Sequence, residues 1–279
     1  MEGIKLKIKQ EIRTWNRPLV MGILNNTPDS FYSGSRITDT HSMHQKIDTI
    51  VLQGADIIDI GGMSTRPGST TIDIKEEWNR IEPALQYMAT HYPDFAVSVD
   101  TYHAEIAQQS IEKYGVDIIN DISGGQLDPE MIKTVGKLGA GYIAMHMQGT
   151  PATMHQFTNY DNLITDLTRY FGAVNQRCRE AGIADFIVDP GIGFSKTLDQ
   201  NYHIINNLHN IAQLGFPILI GLSRKSLIYK YLDTTPEESL NATTVLNTLS
   251  ILNGAQIIRV HDVKEAVETI KLITKTHNS

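Results

Sequence analysis

The stretch Phe186-Ile187-Val188-Asp189-Pro190-Gly191 decides the fold. Three apolar residues run into an acid, and a Pro-Gly turn ends the run at once. A segment this short, with no polar alternation, fits a strand buried on both faces, as in a parallel sheet. The acid then stands at the strand's C-terminal end. The same pattern lies to either side. Apolar runs at residues 19–24, 57–60, 96–99, 116–119, 142–145, 186–188, 217–220 and 256–260 each lead into a polar exit. Longer amphipathic stretches separate them.

Eight strand–helix units in 279 residues without a linker predict an α/β fold, a (β/α)8 TIM barrel in one domain over residues 1–279. A doubly wound open sheet would show the same alternation and is the structural alternative. Residues 5–9 alternate lysine with apolar residues, which suits a hairpin arm within residues 1–16 that closes the bottom of the barrel. Helix punctuation supports the alternation. Asp128-Pro129-Glu130 reads as an N-cap with proline at the first helical position. Thr235-Pro236-Glu237-Glu238 reads as a capping box. The helix after it sets Ala242, Val245, Leu246, Leu249 and Leu252 on one face, with Gly254 as the stop.

Composition narrows the function. Hydrophobic residues at 41% and charged residues at 20% are ordinary globular usage, so a large core can form. A net charge of -7 argues against nucleic acid held by phosphate neutralisation, yet leaves room for a small anionic ligand. The single cysteine, Cys178, excludes an intrachain disulfide or a cysteine metal cluster and reads as a half-buried small hydrophobe in a helical stretch at 171–181. The first twenty residues are too charged for a signal peptide, and no apolar run approaches a membrane span. A cytoplasmic protein with no membrane partner is expected.

The strand exits carry the chemistry. They include Asn25, the segment from Gly61 to Gly68, Asp100, Asn120-Asp121, His146, Asp189, the segment Ser223-Arg224-Lys225-Ser226, and the pair Arg259 and His261. Barrel enzymes place their active sites at this rim, because strands fix positions while loops supply variation. Asp100, Asn120, Asp189 and Lys225 form a polar set suited to a flat heterocycle with a guanidine-like edge, such as a pterin. A buried salt-bridge cluster around Lys225 is the other reading. Arg259 and His261 project to one side beside the last strands, a frequent phosphate position in barrels, so a diphosphate fits there. A rim arginine paired with a surface acid would look the same. Ser226 heads a predicted helix at 227–231 and suits a carboxylate, or serves simply as an N-cap.

These exits closely resemble the motifs of the dihydropteroate synthase family. They run from Met21-Gly22-Ile23-Leu24-Asn25-Asn26-Thr27-Pro28-Asp29-Ser30-Phe31 through Asp59-Ile60-Gly61-Gly62-Met63-Ser64-Thr65-Arg66-Pro67-Gly68 and Ser98-Val99-Asp100-Thr101. Asn120-Asp121-Ile122-Ser123-Gly124-Gly125, Met145-His146-Met147 and Asp189-Pro190-Gly191-Ile192-Gly193-Phe194 follow. Ser223-Arg224-Lys225-Ser226 and Arg259-Val260-His261-Asp262-Val263 complete the set. The match is collinear over nearly the whole chain. It implies joining of 6-hydroxymethyl-7,8-dihydropterin diphosphate to p-aminobenzoate, with release of diphosphate, the step in folate synthesis that sulfonamides block. It implies that Asp100, Asn120, Asp189 and Lys225 hold the pterin, with Met145 beside them. Asn25 would bind Mg²⁺ with the diphosphate, and Arg66, Arg259 and His261 would contact that anion. Thr65, Pro67, Phe194, Lys225 and Ser226 would line the p-aminobenzoate pocket. Asp100, Asp189, Lys225 and Arg259 would carry the catalysis. A homodimer is implied, with the Leu240–Leu252 helix as a candidate contact. Asn26, Met63 and Ser195 depart from residues frequent in the family.

Overall fold

The computed structural model describes residues 3–26, 36–63 and 72–277. Two short strands, β1 (Ile4–Ile8) and β2 (Glu11–Trp15), pair antiparallel as a hairpin. Its turn uses Lys9 and Gln10 in left-handed backbone, at φ 51° and 67°. Eight further strands follow: β3 (Leu19–Asn25), β4 (Ile57–Gly61), β5 (Ala96–Asp100), β6 (Ile118–Asp121), β7 (Gly141–Met145), β8 (Phe186–Asp189), β9 (Leu219–Ile220) and β10 (Ile257–Val260). All pair in parallel and in sequential order, with β10 returning to β3. The ring closes where Val188 N donates to Pro217 O at 3.0 Å and Val188 bridges Ile218. This is a closed (β/α)8 barrel, and the open-sheet alternative falls.

Each run foreseen from sequence overlaps a strand. The differences are local. β6 begins two residues late because Val116 and Asp117 form the entry, where Asp117 accepts from Val97 N and Lys9 N. β9 is only two residues long because Pro217 has no N–H for a ladder.

Side chains alternate between two cores. Inward, Leu19, Met21, Ile57, Ala96, Ile118, Ile143, Ile187, Leu219 and Ile257 meet Ile4, Leu6 and Ile8 of the hairpin in one buried cluster. The hairpin thus plugs the barrel at its N-terminal end. Lys7 N donates to Asp185 at 2.6 Å and Lys9 N to Asp117 at 2.7 Å, which pins β1 at the entries of β8 and β6. With the bottom filled by hydrocarbon, only the opposite mouth is left for polar chemistry.

Outward-facing residues pack against the helices. These are α1 (Arg36–Leu52), α2 (Ile74–His91), α3 (Ala104–Tyr114), α4 (Met131–Leu138), α5 (Leu163–Glu180), α6 (Leu198–Asn206), α7 (Leu208–Ala212), α8 (Ser226–Tyr229), α9 (Leu240–Leu252) and α10 (Val263–His277). Cys178, on α5, is fully buried rather than half-buried, and burial pushes its thiol up to about 12. It is inert packing.

Three helix expectations need correction. Asp128 does not cap α4, which starts at Met131; its carboxylate accepts from Glu130 N and from Ala104 N at the start of α3. Thr235 Oγ1 accepts from Glu238 N, but this starts a 3-10 turn at Glu237–Ser239, and the Glu238 carboxylate takes Thr234 Oγ1 instead of closing the box. The expected apolar stripe of α9 is split between two sides. Val245, Leu249 and Leu252 are 50%, 44% and 55% exposed, while Leu246 turns inward with Thr243, Asn247, Ser250 and Ile251, and Ala242 packs on the core. Thr243 and Ser250 tolerate the inner face because their hydroxyls donate to carbonyls one turn back, Ser239 O and Leu246 O.

Candidate active site

The last inward-facing residues of the strands form the floor of the mouth. Asp100, Asn120, Met145 and Asp189 end β5, β6, β7 and β8 on the inner side, and all four are buried. Asp121, one residue after Asn120, points to the helix layer. It accepts from Ser123 N, Ser123 Oγ, Gly125 N and Tyr142 OH at 2.6–2.7 Å, so it shapes the loop and leaves the floor to Asn120. Asn25 ends β3. Its Oδ1 and the Asp100 Cβ would each lie 3.4 Å from a Cβ on Gly61, so that glycine leaves open space between an amide oxygen and a carboxylate.

Arg259 reaches into the floor instead of standing at the rim beside a surface acid. Its Nε donates to Asp59 at 2.6 Å and its Nη2 to Asp100 at 2.7 Å. Asn120 Nδ2 also donates to Asp59, at 3.1 Å. Asp59 is fully buried, and its second oxygen has no hydrogen-bond partner among the described residues. Burial pushes the Asp100 carboxyl up to about 7 against the pull of Arg259. Burial works against the Arg259 charge too, but Asp59 and Asp100 outweigh it and hold the guanidinium protonated.

On the other side, Asp189 Oδ1 accepts from Gly191 N at 2.8 Å, and burial raises its pKa while Lys225 lowers it. Lys225 donates to Ile192 O at 2.7 Å and stands 4.8 Å from the Phe194 ring centroid. Burial brings its amine down to about 8, with Asp189 opposing. The Lys225 amine is also influenced by Arg259 and Asp100, and Arg259 by Asp189, so the floor titrates as one network.

The motif at 223–226 divides by role. Ser223 Oγ accepts from His261 N and lies 3.2 Å from His261 Nδ1. Arg224, in left-handed backbone at φ 55°, makes a two-point bond to Asp262 at 2.7 and 2.9 Å and fixes the turn that aims Lys225. Ser226 is exposed as the first residue of α8. Phe194 packs in an apolar cluster with Ile122, Met145, Met147 and Met154 at the mouth. Thr65, Arg66 and Pro67 lie outside the described residues, as does the whole of the first-loop motif after Asn26. Asn26 itself turns away, donating to Arg80 O of α2.

Sequence reasoning passed over two polar residues of the site. Asp59 is an acid inside a run read as an apolar strand, and that mismatch was the available signal. Lys196 carried none, because nothing local says where a lysine two residues beyond Phe194 will fold.

A closed barrel with an apolar base and a mouth of buried acids, an amide and cations is the layout of a barrel enzyme with its polar site at the C-terminal rim. Residues 21–261 match the family of pterin binding enzymes. The chain is 41% identical to a dihydropteroate synthase from Synechocystis over 271 residues, covering 96% of this chain and 93% of the relative. It is 38% identical to the Escherichia coli dihydropteroate synthase, covering 94% and 92%. The chain belongs to the dihydropteroate synthase family, enzymes of folate synthesis. Among solved structures, the Yersinia pestis dihydropteroate synthase in complex with a sulfonamide drug superposes with a TM-score of 0.92 at 37% identity, covering 99% of this chain and all of that one. The Xanthomonas albilineans enzyme bound to 4-aminobenzoic acid superposes at 0.91 with 30% identity over the full length of both.

Proposed function

We propose that this chain condenses 6-hydroxymethyl-7,8-dihydropterin diphosphate with p-aminobenzoate at the barrel mouth, and that sulfonamides compete there with p-aminobenzoate. The observation that carries the reading is the floor of Asp100, Asn120, Asp189, Lys225 and Arg259 above a hydrocarbon plug. Asp100, Asn120 and Asp189 accept and donate along the pterin edge, with Lys225 on its other side and Met145 beneath. Arg259, His261 and Arg66 take the diphosphate. Thr65, Pro67, Phe194 and Ser226 form the arylamine pocket.

An arylamine is neutral at pH 7 and has a usable lone pair, so the harder step is breaking the C–O bond to diphosphate. As that bond lengthens, positive charge spreads into the pterin and negative charge onto the leaving group. Asp100 and Arg259 already stand as an ion pair at 2.7 Å, an anion for the ring and a cation for the departing oxygen, fixed before substrate arrives. Asn25 Oδ1 is a hard oxygen donor beside the space over Gly61, which suits Mg²⁺ completed by diphosphate oxygens. When bound, Mg²⁺ would neutralise charge on the leaving group. The decisive assay is diphosphate release that depends on both substrates together; release that depends on neither overturns the reading.

The floor sets a pH profile. Below about 7, Asp100 is protonated and cannot accept as a carboxylate; above about 8, Lys225 is neutral. The kcat/KM for pterin diphosphate is therefore expected to rise through about 7 and fall above about 8. A flat profile across both values contradicts the assignment of the pair.

A homodimer through α9 is part of this proposal. Val245, Leu249 and Leu252 form an exposed apolar stripe at i, i+4 and i+7. Leu249→Glu is expected to shift the chain toward monomer in light-scattering measurements, with the fold intact. An unchanged dissociation constant removes α9 from the interface.

A further inference from the structure

The turn at 190–196 carries Phe194, and its backbone is held by neighbours from several directions. Gly193 N donates to Asn201 Oδ1 at 2.7 Å, Lys225 donates to Ile192 O, and Phe194 N closes onto Gly191 O. Lys196 then doubles back. Its amine donates to Phe194 O at 2.9 Å and crosses to the exit of β7, where His146 O lies at 3.3 Å and His146 Nδ1 at 3.2 Å. Burial brings this amine down to about 7, with Asp189 opposing; when protonated, its three N–H donors meet the two carbonyls and the ring nitrogen. His146 is buried and packs edge-on against Tyr170. Burial, reinforced by Lys196, brings the imidazole down to about 3, so it presents as a neutral ring.

Two features leave this crossing no slack. A Cβ on Gly191 would lie 2.1 Å from His146 O, so the two exits already touch. Ser195, at φ 46°, rivets the same pair of loops. Its Oγ accepts from Gln148 N at 3.0 Å and its carbonyl from Tyr160 OH at 2.9 Å. A glycine at this position would accept the backbone angle without strain but could not make the first bond. The Phe194 carbonyl is therefore located by a side chain anchored on β7, and the Phe194 ring moves with its backbone.

We propose that Lys196 is a positioning residue: by joining Phe194 O to the His146 backbone and ring, it sets the distance of the Phe194 wall from the floor and so the fit of the arylamine. This rests on the reading of Phe194 as part of the arylamine pocket. In this proposal Lys196 contacts neither substrate and its removal acts through Phe194, while Asp189 loses only the smallest of the influences that hold its carboxylate charged.

The test is a double-mutant cycle on folded enzyme, with thermal unfolding as the control. Lys196→Met is expected to lower kcat/KM for p-aminobenzoate by roughly tenfold or more, and affinity for the pterin diphosphate, measured without arylamine, by less than about threefold. In a Phe194→Ala background the same change is expected to cost less than about threefold, because its effect runs through the missing ring. Equal losses in both backgrounds, or equal losses for both substrates, overturn the proposal. Lys196→Gln keeps two N–H donors and is expected to lose less than Lys196→Met; it takes the place of Lys196→Met in the cycle if that variant does not fold. A costly Phe194→Ala with a harmless Lys196→Met overturns this proposal alone. A harmless Phe194→Ala removes the wall reading as well.

Discussion

Arg259→Ala is expected to lower kcat/KM for the pterin diphosphate by on the order of a thousandfold, the largest single loss at this site. Two charged hydrogen bonds, to Asp59 and Asp100, disappear together with the cation assigned to the leaving group. Each such bond contributes about 1.5–3 kcal/mol. Removing one partner of a buried ion pair costs about 3–5 kcal/mol of stability, because the other charge is left without compensation. There is also a signature in pH. Arg259 is the main influence holding the Asp100 carboxyl down against burial. Without it Asp100 stays protonated to higher pH, so the acid limb of kcat/KM should move above 7. Replacing Arg259 and Asp59 together with methionine and leucine should recover part of the lost thermal stability, since Asp59 is then no longer an uncompensated charge, without restoring activity. An Arg259→Ala enzyme with an unmoved acid limb and near-normal affinity for the diphosphate would contradict the assignment.

Asp189→Asn is expected to cost about a hundredfold in affinity for the pterin diphosphate or in turnover. The substitution is nearly isosteric, and an asparagine Oδ1 can keep the bond from Gly191 N. Its amide nitrogen then replaces the oxygen turned to the ring. An acceptor becomes a donor facing donors, and Lys225 loses its opposing charge. Two consequences can be measured together: weak binding by titration calorimetry, and a Lys225 limb displaced to lower pH, since Asp189 is what holds that amine's pKa up. Normal affinity with an unshifted alkaline limb would remove Asp189 from the floor.

The fold was legible because its signal is local and repeated. Eight short apolar runs ending in polar exits admit few arrangements once each run must be buried on both faces, and all eight overlap the strands. The hairpin was legible for the same reason, since alternation at 5–9 needs an apolar face to cover. α9 was not. Its Thr, Ser and Asn residues are interspersed with the apolar ones, so no sharp periodicity says which side is inner, and self-bonded Thr243 and Ser250 took that side.

Of the site, the sequence determined the inventory and its height in the barrel. A period of two fixes which residue at a strand end faces inward, so Asp100, Asn120 and Asp189 were readable, and Asp121 could have been assigned outward by the same count. Whether Arg259 meets a surface acid or two buried ones depends on how far β10 sits below the mouth relative to β4 and β5. That is the stagger of a closed barrel, which no single segment encodes. The tertiary structure alone decided the Asp59–Arg259–Asp100 bridge and the crossing of Lys196 to His146, because both join residues that are distant in sequence and meet only when the ring closes.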